Sequence, residues 1–391
     1  MKNTTVLISG ASIAGPALAY WLSRTGHTVT VVERASTPRP GGQAVDFKGA
    51  AHRTVLARMG ILDEVLRRQT GGRDQTIIDA AGRPLAVIPA EFTGGEIEIR
   101  RGDLAELLHD RTAQTCEYVY GDAITSLTET ADGVRVTFER GAPRTVDLVV
   151  GADGIHSGVR RLAFGPESDH VRFLGHYYAL VELGDVGGDA VMYNEPGRMV
   201  ALGGPKAPAF FVFASRRLDY DRYDGEQQKA LLRNAYRGGG WRLPELMSRI
   251  GEAGEVYLDS ISRVRTSRLA TGRVALLGDA AHGNTLGGFG TGLAVVGAYV
   301  LAGELVAAGG DHRVAFPRYE EKLRGYARMA GRGNAGPFLA PGGRLRIRLR
   351  DLTFRSDVLL RLMLRMADRV ANDIDLDEYP GLTEARSSPV D

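Results

Sequence analysis

The residues of this chain that can do chemistry sit where short apolar runs meet glycine. Gly10-Ala11-Ser12-Ile13-Ala14-Gly15 follows the apolar run Val6–Ile8 and precedes a helical pattern. Such a turn presents the free N–H groups and positive dipole end of a helix to a pyrophosphate. The fingerprint's middle glycine is replaced by Ser12, whose Cβ crowds a close phosphate and whose hydroxyl offers a hydrogen bond in return. Glu33, followed by Arg34, lies 23 positions after Gly10. That is near the roughly 20-residue spacing of a carboxylate that accepts a ribose 2′-OH. Asp153, in Gly151-Ala152-Asp153-Gly154, and Asp279, in Leu277-Gly278-Asp279, each end an apolar run. An aspartate there projects into the crevice where open α/β sheets bind ligands, and Asp279 is placed to accept hydrogen bonds from ligand hydroxyls.

The elements that must hold these residues follow from the pattern. Thr4–Ser9 and Thr28–Glu33 read as strands on either side of a helix Pro16–Arg24, a βαβ unit with Gly26 at the helix end. Further helices are predicted at Ala50–Met59, Asp63–Arg68 and Arg101–Thr115. Strand-like stretches from Tyr177 to Ser215 suggest an antiparallel sheet, and Val274–Leu277 returns to a buried-strand signature. Gly333–Gly343 reads as a loop and Leu359–Val370 as a terminal helix. The aromatics Tyr177, Tyr178, Phe210, Phe211 and Phe213 fit a sheet core, with one face able to line an apolar pocket.

Composition narrows the field. Hydrophobic residues make up 43% and charged residues 25%, and the net charge of +2 excludes a dominant nucleic-acid footprint. Cys116 is alone, so it forms no intramolecular disulfide or all-cysteine metal site, which points to a reducing cytoplasm. No metal constellation is visible. Ser9 and Gly10 interrupt the first apolar run too soon for a secretory or membrane segment, and no membrane partner is expected. The 51 glycines, about 13% of the chain against roughly 7% on average, show no three-residue period and mark close backbone approach instead. The arginines from Arg344 to Arg369 make a basic amphipathic run with aspartates interspersed, read as a solvated face.

The first motif alone suits an NAD-dependent dehydrogenase as well as an FAD enzyme. Gly151-Ala152-Asp153-Gly154-Ile155-His156-Ser157-Gly158-Val159-Arg160 and Arg273-Val274-Ala275-Leu276-Leu277-Gly278-Asp279-Ala280-Ala281-His282 separate the two. Together with the first motif they resemble, in order over most of residues 4–305, the class A flavoprotein monooxygenases typified by p-hydroxybenzoate hydroxylase. The segment Pro40–Gly49 looks most like that of the two-domain, tetracycline-inactivating members.

That resemblance implies an α/β fold in which a Rossmann-like FAD-binding domain (1–74, 98–170 and 258–330) is interleaved with an antiparallel-sheet substrate domain (75–97 and 171–257), plus a C-terminal helical segment (331–391). It gives Asp279 the ribitol, and Asp153, Gly154 and Arg160 the pyrophosphate region and nicotinamide use. Arg101, ahead of Gly102-Asp103-Leu104, is the arginine that reaches FAD. Gln43 and Asp46 contact flavin or substrate, or merely belong to a glycine-flanked hairpin. Gly278, Gly288, Gly290 and Thr291 form the loop and helix start near the isoalloxazine, where the family usually has a proline and this chain has none. His282 is a structural part of that motif, and no residue is assigned as catalytic. The implied activity is hydroxylation of an aromatic or polyketide-like small molecule by O2 through a flavin C4a-hydroperoxide, with NADPH or NADH as transient co-substrate, in a cytoplasmic monomer or homodimer. The alternatives are an NAD-dependent dehydrogenase and an FAD-binding homologue without oxygen transfer.

Overall fold

The computed structural model describes residues 4–38, 43–93, 96–203, 207–331, 333–356, 358–362, 365 and 376–383. Pro40, Gly41 and Gly42 of the segment singled out above lie outside them.

Val6, Leu7 and Ile8 are at most 1% exposed because β1 (Thr5–Ser9) is central in a sheet covered on both faces. Its parallel neighbours are β2 (Thr28–Glu33) and β11 (Leu148–Gly151). Outside these run β7 (Glu117–Tyr120) and β18 (Val274–Leu276), also parallel, and β17 (Ala270–Thr271) closes one edge antiparallel. The meander β8 (Ile124–Glu129), β9 (Val134–Phe138) and β10 (Arg144–Val146) adds Ile124, Val134, Val136 and Val146 to the same core.

The helices Ala14–Arg24 and Gly290–Ala307 pack against each other in that core. Gly290–Ala307 is long and apolar enough to cross a membrane, and 78% of it is buried inside the protein. Its Glu304 is 2% exposed and is held by Lys322 and by the Tyr379 hydroxyl, which donates at 2.6 Å.

A second sheet runs β16 (Val256–Val264), β12 (Val171–Val181), β15 (Ala209–Ala214), β14 (Arg198–Leu202), β13 (Val191–Glu195), β4 (Gln75–Ile78) and β5 (Pro84–Ile88). All its pairs are antiparallel except β13 with β4. Residues 75–88 thus join strands drawn from beyond residue 170. The boundary predicted at 257/258 falls inside β16, whose residues pair with β12 up to Val264; the edge of this sheet unit lies after Val264. A ribbon of β3 (Ala44–Phe47) and β6 (Ile97–Arg100) lies between the two sheets in sequence and leads into the helix Arg101–Asp110.

Three local expectations are corrected. The helix from Arg101 stops at Asp110 rather than Thr115, and the Thr112 hydroxyl just beyond donates to Leu108 O at 2.9 Å and bonds Tyr118 Oη at 2.7 Å, closing a turn. Within Gly333–Gly343 the segment Ala335–Leu339 is helical, capped by Asn334 Oδ1 accepting from Gly336 N–H. Arg344–Arg355 is a helix whose Arg350 and Asp351 are buried, so this part of the basic run is not simply a solvated face. Of the predicted helix Leu359–Val370, residues 359–362 and 365 are helical and the rest lie outside the described residues.

Candidate functional site

Where β1 ends, the chain turns too tightly for side chains. Gly10 has φ +110°, and a Cβ there would sit 2.4 Å from Ala152 O; one on Gly15 would sit 1.9 Å from Gly10 O. These glycines let the turn and the start of the helix Ala14–Arg24 close on β11. Ile13 is the residue before that helix, and its carbonyl accepts from Ala17 N–H. The Glu33 carboxylate accepts from Ala11 N–H and Ala35 N–H, both at 2.9 Å, so the predicted ribose-binding group also braces the turn. Arg34 instead points to Glu139, at 3.2 Å.

Ser12 has a partner the sequence did not suggest. Arg101 Nη1 donates to its Oγ at 2.9 Å, while Arg101 N–H donates to Gln43 O at 3.1 Å. The β3/β6 ribbon, in which Asp46 pairs with Glu98, therefore delivers Arg101 to the Gly10–Gly15 turn.

The second motif is turned toward protein. Asp153 accepts from the Ser157 hydroxyl, from Val159 N–H at 3.1 Å and from Ser9 Oγ at 3.4 Å, while Gly154 has φ +81°. Removal from water pushes the Asp153 carboxyl up, against the pull of these bonds. Arg160 is 0% exposed and donates to Ala280 O at 2.9 Å and Ile155 O at 2.5 Å, tying the second motif to the third. The side chains of Asp153 and Arg160 thus set the position of their turn.

In the third motif Gly278 has φ +62°, and a Cβ there would meet Ala14 Cβ at 2.9 Å. Asp279 follows on the first residue of a short helix and is exposed. The enclosing walls raise its carboxyl pKa, and the Arg101 guanidinium opposes that rise. Gly290 lies beside it, since a Cβ there would be 3.3 Å from Asp279 Oδ1, and partly buried Thr291 follows in the helix Gly290–Ala307.

The intervening loop is laced to β16. Gly283 O accepts from Val264 N–H at 2.7 Å, and Thr285 N–H donates to Ser262 O at 3.0 Å. Gly288 has φ +78°, and Leu286 has φ +58°, an uncommon conformation for a γ-branched residue. It turns the Leu286 side chain into the apolar cluster on one face of the seven-stranded sheet. That face carries Met192, Met199, Tyr178 and Val212, with Phe210 beside them, whereas Tyr177, Phe211 and Phe213 face the helices Gly225–Ala235 and Leu243–Glu252. Phe92, Phe338 and Phe354 gather at the same cluster, with ring centroids 5.1–6.0 Å apart.

Several functional candidates escaped sequence reading. Tyr178 Oη lies 3.4 Å from Tyr257 Oη, which donates to Asp259 Oδ2 at 3.2 Å, and Asp259 Oδ1 meets His156 Nε2 at 3.1 Å. Glu167 completes the chain at 3.0 Å from His156 Nδ1. Burial alone would lower the His156 pKa, but bonds to Asp259 and Glu167 outweigh it and raise it. The register that pairs Tyr178 with Asp259 across β12 and β16 forms one end of this chain, and sequence periodicity does not supply register. His52 is also new: its Nδ1 accepts from Lys48 N–H, its Nε2 has no hydrogen-bond partner among the described residues, and its ring fills the space beside Gly292. Burial lowers His52 and His282 to about 4. Among the described residues no cluster of ligating side chains could hold a metal.

Comparison with known proteins gives the family and the fold. Residues 3–316 match the FAD binding domain family. The chain is 41% identical over 339 residues to an uncharacterized protein of Mycobacterium tuberculosis (strain ATCC 25618 / H37Rv), covering 82% of this chain and 90% of that one. It is 36% identical over 338 residues to a flavin-dependent monooxygenase of Legionella longbeachae, covering 83% and 86%. The crystal structure of tetracycline destructase Tet(55) superposes with a TM-score of 0.81 at 33% identity, covering 96% of this chain and 99% of that one. The dehydrogenase alternative is thereby set aside, and the chain belongs to the FAD binding domain family as a flavin-dependent monooxygenase.

Proposed function

We propose that this enzyme hydroxylates a polycyclic aromatic or polyketide-like small molecule held between the Gly283–Gly290 loop and the apolar face of the seven-stranded sheet. The observation that carries the reading is Leu286, a loop residue whose side chain belongs to the same apolar cluster as Tyr178 and Met199. A flat, apolar substrate suits a wall of this composition.

The residues fit FAD. The close approaches at Gly10 and Gly15 leave backbone N–H groups at a helix start, and Arg101 and Asp279 lie near enough for their charges to interact. In this reading the Gly10–Gly15 turn and Arg101 bind the pyrophosphate, Glu33 the adenosine ribose and Asp279 the ribitol. Gly288, Gly290 and Thr291 flank the ring. Bound FAD supplies reduction by NAD(P)H and activation of O2. The protein's part is positioning: Arg101 neutralises phosphate charge, the loop N–H groups polarise the ring carbonyl edge, and the apolar wall excludes water. The hydrogen-bonded chain from Tyr178 to Glu167 offers a route for a phenolic proton away from that wall. We place the enzyme in the cytoplasm as a monomer or homodimer.

The test is NAD(P)H consumption by the purified, flavin-loaded protein across a panel of aromatic and polyketide compounds, with product mass analysis. Substrate-dependent consumption and a product heavier by one oxygen atom support the reading. Reoxidation that yields peroxide alone with every compound would favour the homologue without oxygen transfer.

A further inference from the structure

The helix Arg344–Arg355 has two unlike apolar faces. One is buried against the seven-stranded sheet and the helix before it: Arg350 donates to Asn194 Oδ1 at 2.9 Å and to Phe338 O and Leu339 O at 3.1 and 3.2 Å, pairs with Asp351 at 2.7 Å, and lies near buried Phe354. The other points away. Leu345, Leu349 and Leu352 are spaced i, i+4 and i+7, so they form one stripe opposite the buried face. They are 71, 56 and 53% exposed. Beyond Ser356, exposed Val358, Leu359 and Leu362 continue the apolar character. These six are half of the twelve large apolar side chains exposed among the described residues.

Exposed arginines border the stripe. At 100° per residue, Arg344, Arg348 and Arg355 lie along one side and Arg346 along the other. Asp351, the acidic residue within this helix, is turned inward and held by Arg350. Apart from Thr353, whose hydroxyl donates to Arg350 O, the outer face therefore carries leucine and positive charge.

We propose that this face docks the enzyme on an anionic membrane surface, with the leucines entering the acyl boundary and the arginine heads reaching the phosphates. Two features favour lipid over protein. A second copy related by two-fold symmetry would set arginine borders against each other with no carboxylate in the stripe to answer them. Protein interfaces draw their binding energy from aromatic and arginine anchors in pockets, with leucine and valine under-represented, whereas this stripe offers only leucines and its helix no Trp or Tyr. The inner side of the same helix bears Phe354, part of the apolar cluster beside the loop, so docking brings that cluster close to the bilayer surface. The proposal rests on the faces of this helix and stands independently of the substrate.

The experiment is vesicle sedimentation of the FAD-loaded enzyme. Vesicles of phosphatidylcholine mixed with phosphatidylglycerol are compared with phosphatidylcholine alone, at low and high salt. Binding to the anionic vesicles only, weakened by salt, is expected. The double variant Leu349→Gln/Leu352→Gln should weaken it at least about tenfold, and Arg344→Gln/Arg348→Gln should reduce both affinity and salt dependence. Flavin content and thermal unfolding, unchanged in both variants, serve as the folding controls. Absence of binding to anionic vesicles, or binding indifferent to the leucine substitutions, overturns the proposal. So does a dimer, seen by light scattering, that the leucine substitutions dissociate, because a second copy then covers the stripe.

Discussion

Arg101 Nη1 donates to Ser12 Oγ at 2.9 Å, joining the residue that departs from the dinucleotide fingerprint to the arginine that approaches the same turn from the β3/β6 ribbon. A glycine at position 12 would leave that guanidinium without this anchor. The serine thus exchanges some room in the turn for a fixed donor.

Ser12→Ala is therefore expected to weaken FAD binding by about fivefold, the worth of roughly one hydrogen bond to a charged group in a half-exposed site. Arg101→Gln should cost more, and the double variant less than the two losses combined. Fluorescence titration of apoprotein with FAD measures all three; strict additivity would show that the bond does not matter to binding.

Asp279→Ala should strip most flavin from the purified protein. The ratio of visible to ultraviolet absorbance reads this directly. A full complement of FAD in the variant would remove Asp279 from the ribitol site.

Leu286 at φ +58° makes the reverse prediction to a family-minded repair. Proline, fixed near −65°, cannot adopt this conformation, so Leu286→Pro should destabilise the loop by more than about 1 kcal/mol. Leu286→Gly relieves the backbone but empties the apolar cluster. We expect it to keep flavin while diverting NAD(P)H oxidation from product to peroxide. Product per NAD(P)H consumed is the measurement.

Acid should destabilise the fold through its buried histidines. His52 and His282 have folded pKa values of about 4 against an ordinary 6.5, so the unfolded chain binds protons first as pH falls. Their contribution is complete above about pH 6.5 and is lost between there and about pH 4, on the order of 3 kcal/mol for each group. His156 works in the opposite sense: its raised pKa contributes below about 6.5 and fades as pH rises through the folded value. Urea unfolding at a series of pH values should show a flatter acid limb in His282→Leu than in the parent, and an identical limb would refute the assignment.

What the sequence made legible depends on range. The βαβ unit could be read because Gly10, Gly15 and the apolar strands act within 33 residues, and the short-range patterns fix both turn and face. Asp279 could be read for the same reason, as a strand end. Arg350 could not. Its burial depends on Asn194, 156 positions away, and the surrounding arginines gave it the look of solvated charge. His156 and Asp259 are 103 residues apart, one in the turn after β11 and the other on β16, and only the tertiary fold brings them together. The loop after His282 was visible as one that lacks the family's usual proline, but the positive φ of Leu286 within it was not.

Glu304 has a consequence for how the chain is made. It sits in the long core helix behind β1, yet one of its partners is the hydroxyl of Tyr379. β1 itself needs β11 and its neighbour β18, some 270 residues downstream, to complete the sheet. A ribosome extruding this protein releases a β1 strand that must wait for both, and a core carboxylate that gains its tyrosine only 75 residues later. The core is thus closed late, and nascent chains stalled before Tyr379 should be more open to protease than chains that include it.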